Sequence, residues 1–165
     1  MATPFAVEVV TPERVLFSGE VEEVSLRTDE GEIAFLAKHE DFIGAVDITV
    51  CKLTLSSSGD ATEPMLIAIH GGFVHVDTNG VKLLASVAEL GAEIDVDRAR
   101  VALSGAESRR GTEPTAAHGE ESGEDRGDGI AKSGAMLALL EPDAPEQAAR
   151  RAEVRLEAAG AALRT

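Results

Sequence analysis

The chain has 165 residues, a formal charge of −15 and 44% apolar residues. This length suits one domain, or one small domain with an appendage. The acidity argues against nucleic-acid binding, because the chain would repel phosphate backbones. The single cysteine, Cys51, excludes an internal disulfide, and its apolar neighbours predict a buried, inert thiol. Without a bilayer-length apolar run or a secretory signal, we expect a cytoplasmic protein that reaches membranes through a partner.

Residues 1–90 are predicted to form a β domain. Short apolar runs recur every 8–12 residues with turn-forming residues between them, which is typical of a sandwich or barrel. The first run, Phe5–Val10, alternates as on a half-buried strand. Turns are predicted at Thr11–Arg14 and at Ser18-Gly19. Asn79-Gly80, between two apolar runs, is the strongest hairpin signal in the chain.

The sequence changes character after this domain. Residues 91–104 are predicted to form a helix with Asp95 as its N-cap. Residues 105–142 are predicted to be a low-complexity linker. Its first part, 105–129, is rich in Ser, Gly, Glu and Asp without apolar periodicity, which predicts disorder. The segment Ile130–Leu140 could instead form a short helix or dock onto the sandwich. Residues 143–165 contain a second predicted helix, from Pro145 to Arg164, with a narrow apolar seam suited to one partner helix. The seam consists of Ala149, Ala152, Leu156, Ala159 and Leu163.

The sequence contains no recognisable catalytic motif. It lacks a Gly-x-Ser-x-Gly elbow and a phosphate-binding loop ending in Lys-Ser/Thr. His70 and His75 are an odd number of residues apart, so on one regular strand they would face opposite sides. A shared metal site is therefore not expected. We predict a protein that binds rather than catalyses.

Three segments stand in a fixed order. They are Gly31–His39, the Gly-Gly-Phe segment that extends from Ala68 to Glu89, and the helix start Ile94-Asp95-Val96-Asp97-Arg98-Ala99. With these segments, residues 4–103 resemble the epsilon subunit of the rotary F-type ATP synthase.

The resemblance implies a ten-stranded β-sandwich followed by a C-terminal two-helix region. It implies a non-catalytic subunit of the F1 sector that couples gamma to the membrane ring of c subunits in proton-driven ATP synthesis. Such a subunit is peripheral, on the cytoplasmic face of the cell membrane. Its helices regulate ATP hydrolysis by moving between a folded-down state and an extended state that meets the alpha and beta subunits. No cofactor is required.

The resemblance also implies a contact with the c ring. The loop from Glu30 to Asp41 matches the family segment that faces this ring, with Glu32 and His39 at its polar positions. An ordinary turn with solvated side chains is the alternative. The family usually has Leu-Pro-Gly-His where this chain has Leu36-Ala37-Lys38-His39, and the missing proline predicts a less rigid loop.

A second site implied by the resemblance binds ATP as a regulatory ligand. Asp95 would accept from the adenine amino group or orient Arg98, whose guanidinium suits phosphate or stacking. Alternatively, Asp95 caps the helix and Arg98 lies on its polar side. The motif residues are Ile94, Asp95, Arg98 and Ala99, and the basic groups expected from the second helix are Arg150 and Arg151.

The spacing of the two helices departs from the family, which joins them by a short turn. Here about 40 residues separate them. Loop entropy rises only logarithmically with length, so the helices can still pair. Two other interpretations stay open at this point. One is an unrelated β-sandwich binding module with a helical oligomerisation element, and the other is an ATP-sensing protein centred on Asp95 and Arg98.

Overall fold

The computed structural model describes residues 3–55, 63–110 and 145–162. The strands in these ranges are β1 (Phe5–Val10), β2 (Val15–Thr28), β3 (Gly31–Leu36), β4 (Phe42–Leu55), β5 (Met65–Asp77), β6 (Gly80–Ala85) and β7 (Ala88–Leu90). A single 3-10 turn, Gly91–Glu93, leads to helix α1 (Val96–Arg110). Helix α2 spans Pro145–Ala162.

The sheet closes on itself to form a barrel. The strand order is β1-β6-β5-β4-β2-β3, and β1 also pairs with β2, so five strands form a ring. β3 extends this ring at β2, and β7 pairs with β5. The interior is aliphatic with one central aromatic ring. Its largest fully buried side chains are Phe35, Leu53, Ile67, Ile69 and Leu83.

The described residues form a mainly β domain followed by two helices, but they contain seven strands rather than ten. Three strands are 13 or 14 residues long and change partners along their length. For example, β2 pairs with β1 up to Val21 and with β3 from Glu23 onward. Segments that would count as separate strands are continuous here, because the chain bends without leaving the sheet.

The predicted turns are confirmed at two places and wrong at a third. Thr11 N–H donates to the Arg14 carbonyl at 2.9 Å, and Asn79-Gly80 connects β5 to β6. The turn predicted at Ser18-Gly19 is wrong, because β2 runs through both residues. The Phe17 ring covers Gly19, so this glycine makes room for an aromatic side chain instead of turning the chain.

The helix boundaries differ from the prediction on one side. α1 continues past the predicted end at Ser104 to Arg110, so the predicted linker 105–142 begins too early. Ala106 is fully buried, and its packing outweighs the weak helix propensity of Gly105. The rest of that predicted linker, residues 111–142, lies outside the described residues. α2 begins at Pro145 as predicted.

Helix α2 packs on the outer face of β4 and β5, α1 packs against α2, and together they form a second apolar cluster. This cluster consists of Val50, Leu66, Ala68, Ile94, Ala99, Val154, Ala158 and Ala159. The seam predicted for α2 is too narrow, because this helix contacts α1, the 3-10 turn and the sheet together. Val154 and Ala158 are therefore buried as well as Ala149, Ala152 and Ala159. Leu163 lies outside the described residues.

A tight turn follows β3. His39 N–H donates to the Leu36 carbonyl at 3.1 Å, and Lys38 has a φ of 63°. A positive φ at the third residue alone defines a type II turn, in which Pro is favoured at the second position and Gly at the third. The Leu-Pro-Gly-His pattern of the family therefore fits this turn, which Ala37 and Lys38 form here without either residue.

Replacing Lys38 with glycine should stabilise the protein. We expect Lys38→Gly to raise the free energy of unfolding by about 0.5–1 kcal/mol, because glycine adopts a positive φ without a Cβ clash. Urea unfolding followed by far-UV circular dichroism measures this. The matched control is Ala37→Gly, at a residue without a positive φ, which should lower the stability. Equal effects of the two variants would contradict this account.

Candidate functional site: the helix-docking face and the barrel surface

The structure does not bring Glu32 and His39 together. The segment predicted as one loop, Glu30 to Asp41, consists of β3 with a turn at each end. Glu32 lies opposite Arg27 of β2 in the strand register and lines a cleft beside α2. His39 follows the opposite end of β3, and the extended residues between them already span about 13 Å. The two residues therefore cannot form one compact contact point, and their role at a c ring stays a prediction.

His39 stabilises the turn to which it belongs. Its ring centroid lies 5.0 Å from that of Phe35 and 6.4 Å from that of Phe42, with near-perpendicular ring planes. Its Nδ1 lies 2.8 Å from the Glu40 carbonyl, to which it donates. Beside it, Leu36 is largely exposed. The turn thus presents an apolar side chain to the outside and uses the histidine for its own packing.

Three residues of the predicted nucleotide motif have structural roles. Asp95 Oδ1 accepts from Arg98 N–H at 3.0 Å, which confirms the N-cap. Ile94 and Ala99 are buried in the cluster beneath the helices. The Arg98 side chain is exposed and forms no ion pair with any residue that the structure describes. The geometry matches the capping interpretation, and a nucleotide site at this motif stays a prediction.

Two arginines of α2 turn toward carboxylates of the barrel. Arg150 Nη2 donates to Asp47 Oδ2 of β4 at 2.8 Å. The Arg155 guanidinium donates to Glu89 Oε1 of β7 at 2.6 Å. Arg150 was a candidate phosphate ligand, but in this structure its guanidinium holds α2 on the sheet.

A cleft of about 480 Å³ lies between α2 and the outer face of β2, β3 and β4. Both signs of charge line it, and no excess of cations marks it as an anion site. The charged lining residues are Arg27, Lys52, Arg150, Glu32, Glu153 and Glu157.

His70 is buried under α2, whereas His75 is exposed. The chain bends at Gly71-Gly72, where φ is 82° and 151°. Ile69 before the bend and Val74 after it both point into the barrel, so both histidines lie on the outer face. The prediction that they face opposite sides is wrong, because it assumed one regular strand.

The remaining reactive groups offer little chemistry in the described ranges. Burial raises the pKa of the Cys51 thiol to about 12, which keeps it protonated and inert. No group of three or more His, Cys, Asp or Glu side chains in these ranges is placed to hold a metal ion. Neither described helix has the length and apolar character to cross a bilayer.

Sequence reasoning missed an apolar row on the outer surface of the barrel. Residues paired across neighbouring strands share a face, and a series of such pairs runs from β4 to β2. This apolar row consists of Ala45, Phe73, Leu84, Val10 and Val15. Phe73 is 58% exposed and Leu84 47%. One signal was available, because Leu83 and Leu84 are adjacent on a strand and one of them must face outward.

These features define a binding protein: a closed β domain with a helical appendage and an exposed apolar row. Residues 4–91 match the family described as the ATP synthase delta/epsilon chain, β-sandwich domain. The chain belongs to this family. The match removes the alternative of an unrelated β-sandwich module.

Similar proteins carry the name ATP synthase epsilon chain. Those of Halalkalibacterium halodurans and Carboxydothermus hydrogenoformans are 40% and 41% identical over 62% and 66% of this chain, and 74% and 78% of their own. The one from Streptomyces griseus is 36% identical over 66% of this chain and 84% of its own. A chain of the Euglena gracilis mitochondrial ATP synthase superposes with a TM-score of 0.59 at 22% identity, covering 70% of this chain and 71% of that one, which supports the fold.

The docking of α2 should depend on the absence of a side chain at Gly91. A Cβ there would lie 2.6 Å from the Ala158 carbonyl oxygen of α2 and 3.2 Å from that of Leu66. We expect Gly91→Ala to lower the free energy of unfolding by about 1–3 kcal/mol, because backbone on both sides has to move. Urea unfolding monitored at 222 nm measures the change.

Gly105→Ala is the matched control for this prediction. Gly105 lies inside α1, and an added Cβ would meet nothing within 4 Å. This variant should gain about 0.5–1 kcal/mol from helix propensity. The account fails if Gly91→Ala is as stable as Gly105→Ala.

Proposed function

We propose that this chain is the epsilon subunit of the F1 sector of a proton-translocating ATP synthase. It has no catalytic role of its own and joins gamma to the c ring in the central stalk, so that proton-driven rotation reaches the catalytic sites. The observation that carries this proposal is the family match over the whole barrel, residues 4–91. A closed and closely packed barrel suits the task, since dense interiors transmit strain. The subunit is peripheral to the membrane, and we place it on the cytoplasmic face.

The apolar row is proposed as the surface that contacts gamma. It crosses five strands of the closed ring and contains no charged side chain. Exposed apolar patches of this kind mark protein interfaces, and aromatic side chains such as Phe73 often dominate their affinity. The helices cover a different part of the outer face, so α2 in its present position leaves the row open.

The turn after β3 is proposed as the contact with the c ring. Leu36, Lys38 and His39 line one pocket together with the β5–β6 hairpin, which places two turns at the same end of the barrel. Apolar Leu36 and cationic Lys38 provide the contact groups, and His39 fixes the turn. Glu32 at the other end of β3 fits this contact less well.

The helices are proposed to form a regulatory element, which is docked on the barrel here and meets the alpha and beta subunits when extended. ATP is proposed as its regulatory ligand, with Arg98 as the phosphate contact. The exposed guanidinium supports this assignment, whereas Asp95 is already engaged as a cap.

Removing the apolar row should weaken the association with gamma. We expect Phe73→Ser combined with Leu84→Ser to reduce the affinity for purified gamma at least about tenfold, because the centre of the row loses its large side chains. Biolayer interferometry measures the affinity, and circular dichroism verifies the fold. Val101→Ser is the control, since Val101 is 72% exposed on α1 outside the row. Unchanged binding by the double variant would rule out the row as the gamma surface.

Two substitutions separate the capping role from ATP binding. Asp95→Ala should cost about 1 kcal/mol of stability through the lost cap, whereas Arg98→Ala should leave stability unchanged. If ATP is a ligand, calorimetry should detect binding by the wild type and its loss in Arg98→Ala. Arg100→Ala, at an exposed arginine on the same helix, should keep binding. No heat with the wild type would remove ATP from the proposal and leave the stalk assignment intact.

A further inference from the structure

A buried histidine lies between the barrel and α2. The His70 side chain is 3% exposed, and both ring nitrogens lack a hydrogen-bond partner in the described part of the chain. Its Nε2 lies 3.4 Å from Glu89 Oε1 of β7, too far for a strong hydrogen bond. An unpartnered polar ring in a buried interface is costly and calls for an explanation.

Glu89 is shared between the barrel and α2. The same Oε1 that faces His70 accepts the short hydrogen bond from Arg155. With Asp47–Arg150, this contact forms a pair of ionic links between α2 and the strands. Otherwise α2 contributes Val154, Leu156, Ala158 and Ala159 to the second apolar cluster. The ionic links therefore add to the docking interaction, and each is modest because its side chains are partly exposed.

The charges around His70 favour its neutral form. Arg155 and Arg151 approach from α2, and Glu89 approaches from β7. The His70 backbone is held on both sides. Its N–H donates to the Val87 carbonyl at 3.0 Å, and Ile48 of β4 lies opposite it in the strand register. Burial, followed by Arg155, lowers the pKa of His70 from 6.5 to about 4, and Glu89 offsets only part of this shift.

We propose that His70, Glu89 and Arg155 form an acid-sensitive latch that holds α2 on the barrel near neutral pH and releases it when His70 takes up a proton. The protonated ring competes for the oxygen that holds Arg155. It also adds a third cation beside two arginines and a single carboxylate. This inference goes beyond the proposed function, because it concerns the docking of α2 in the isolated chain.

The pH window follows from linkage. With α2 released, the hydrated ring regains a pKa toward 6.5, so the released form binds the proton more tightly than the docked form. Docking is unaffected by His70 well above pH 6.5, where the ring is neutral in both forms. It weakens as pH falls from 6.5 toward 4. A full return of the pKa would reduce the docking constant about thirtyfold between pH 7.5 and 5.0.

Distance measurements on the full chain test the latch. Lys52→Cys on β4 and Glu157→Cys on α2, at exposed positions lining the cleft, carry spin labels. Cys51 is fully buried and stays unlabelled in the folded protein. Electron–electron double resonance should find one short distance between the two spin labels at pH 7.5 and a growing population of longer distances toward pH 5.0. His70→Gln should stay docked at pH 5.0, and His75→Gln, at the exposed histidine of β5, should respond like the parent.

Two results would overturn the latch. One is a distance distribution that does not change down to pH 5.0. The other is a distance change of equal size in His70→Gln. This holds also where circular dichroism shows that the change comes from unfolding of the β domain. NMR titration of the parent chain provides a test without the substitution. His70 should titrate below its ordinary pKa of 6.5 and together with the distance change, and an unshifted titration of His70 would also refute the proposal.

Discussion

The bend of β5 at Gly71-Gly72 is the constraint on which both layers of the molecule depend. Gly72 approaches the backbone of β6 at Leu84 and Ala85 so closely that a Cβ would clash with it. Before the bend, β5 is buried on both faces, with Ile69 inside the barrel and Ala68 under the helices. Beyond the bend the alternation of faces shifts by one residue. The outer face there is open, and the row centred on Phe73 is exposed.

The two layers are held by different forces. The barrel interior is closed and built from large aliphatic side chains. Burial of apolar surface contributes roughly 25 cal/mol per Å², so this core is the main source of the barrel's stability. The helix layer buries a smaller apolar cluster and adds ionic contacts at half-exposed positions, which are each worth little. A closed barrel with a separate, smaller helix layer is compatible with the proposed function, a stalk subunit with a movable regulatory element.

Local signals in the sequence predicted part of the fold. The Asp95 cap, the Pro145 helix start and the Asn79-Gly80 hairpin are each determined within a few residues, and all three were predicted correctly. Gly19 and Gly105 misled the prediction, because a glycine signals a turn or a helix end locally, whereas Phe17 and Ala106 pack here through tertiary contacts.

The candidate site was harder to predict for the same reason. The face of His70 depends on the bend, and the Glu89–Arg155 contact joins residues 66 positions apart. Neither feature can be predicted from the pattern of apolar residues within a short stretch of sequence. The resemblance to a family identified the segments that matter, but the partner of each side chain follows from the way in which the long strands bend.

The bend also separates two events that a shared strand would otherwise couple. α2 docks on the half of β5 before Gly71-Gly72, and the proposed gamma surface occupies the half after it. Since the strand remains paired with β4 on both sides of the bend, release of α2 leaves the backbone under Phe73 supported. Under the proposed function, the subunit can therefore stay attached to gamma while its helix moves.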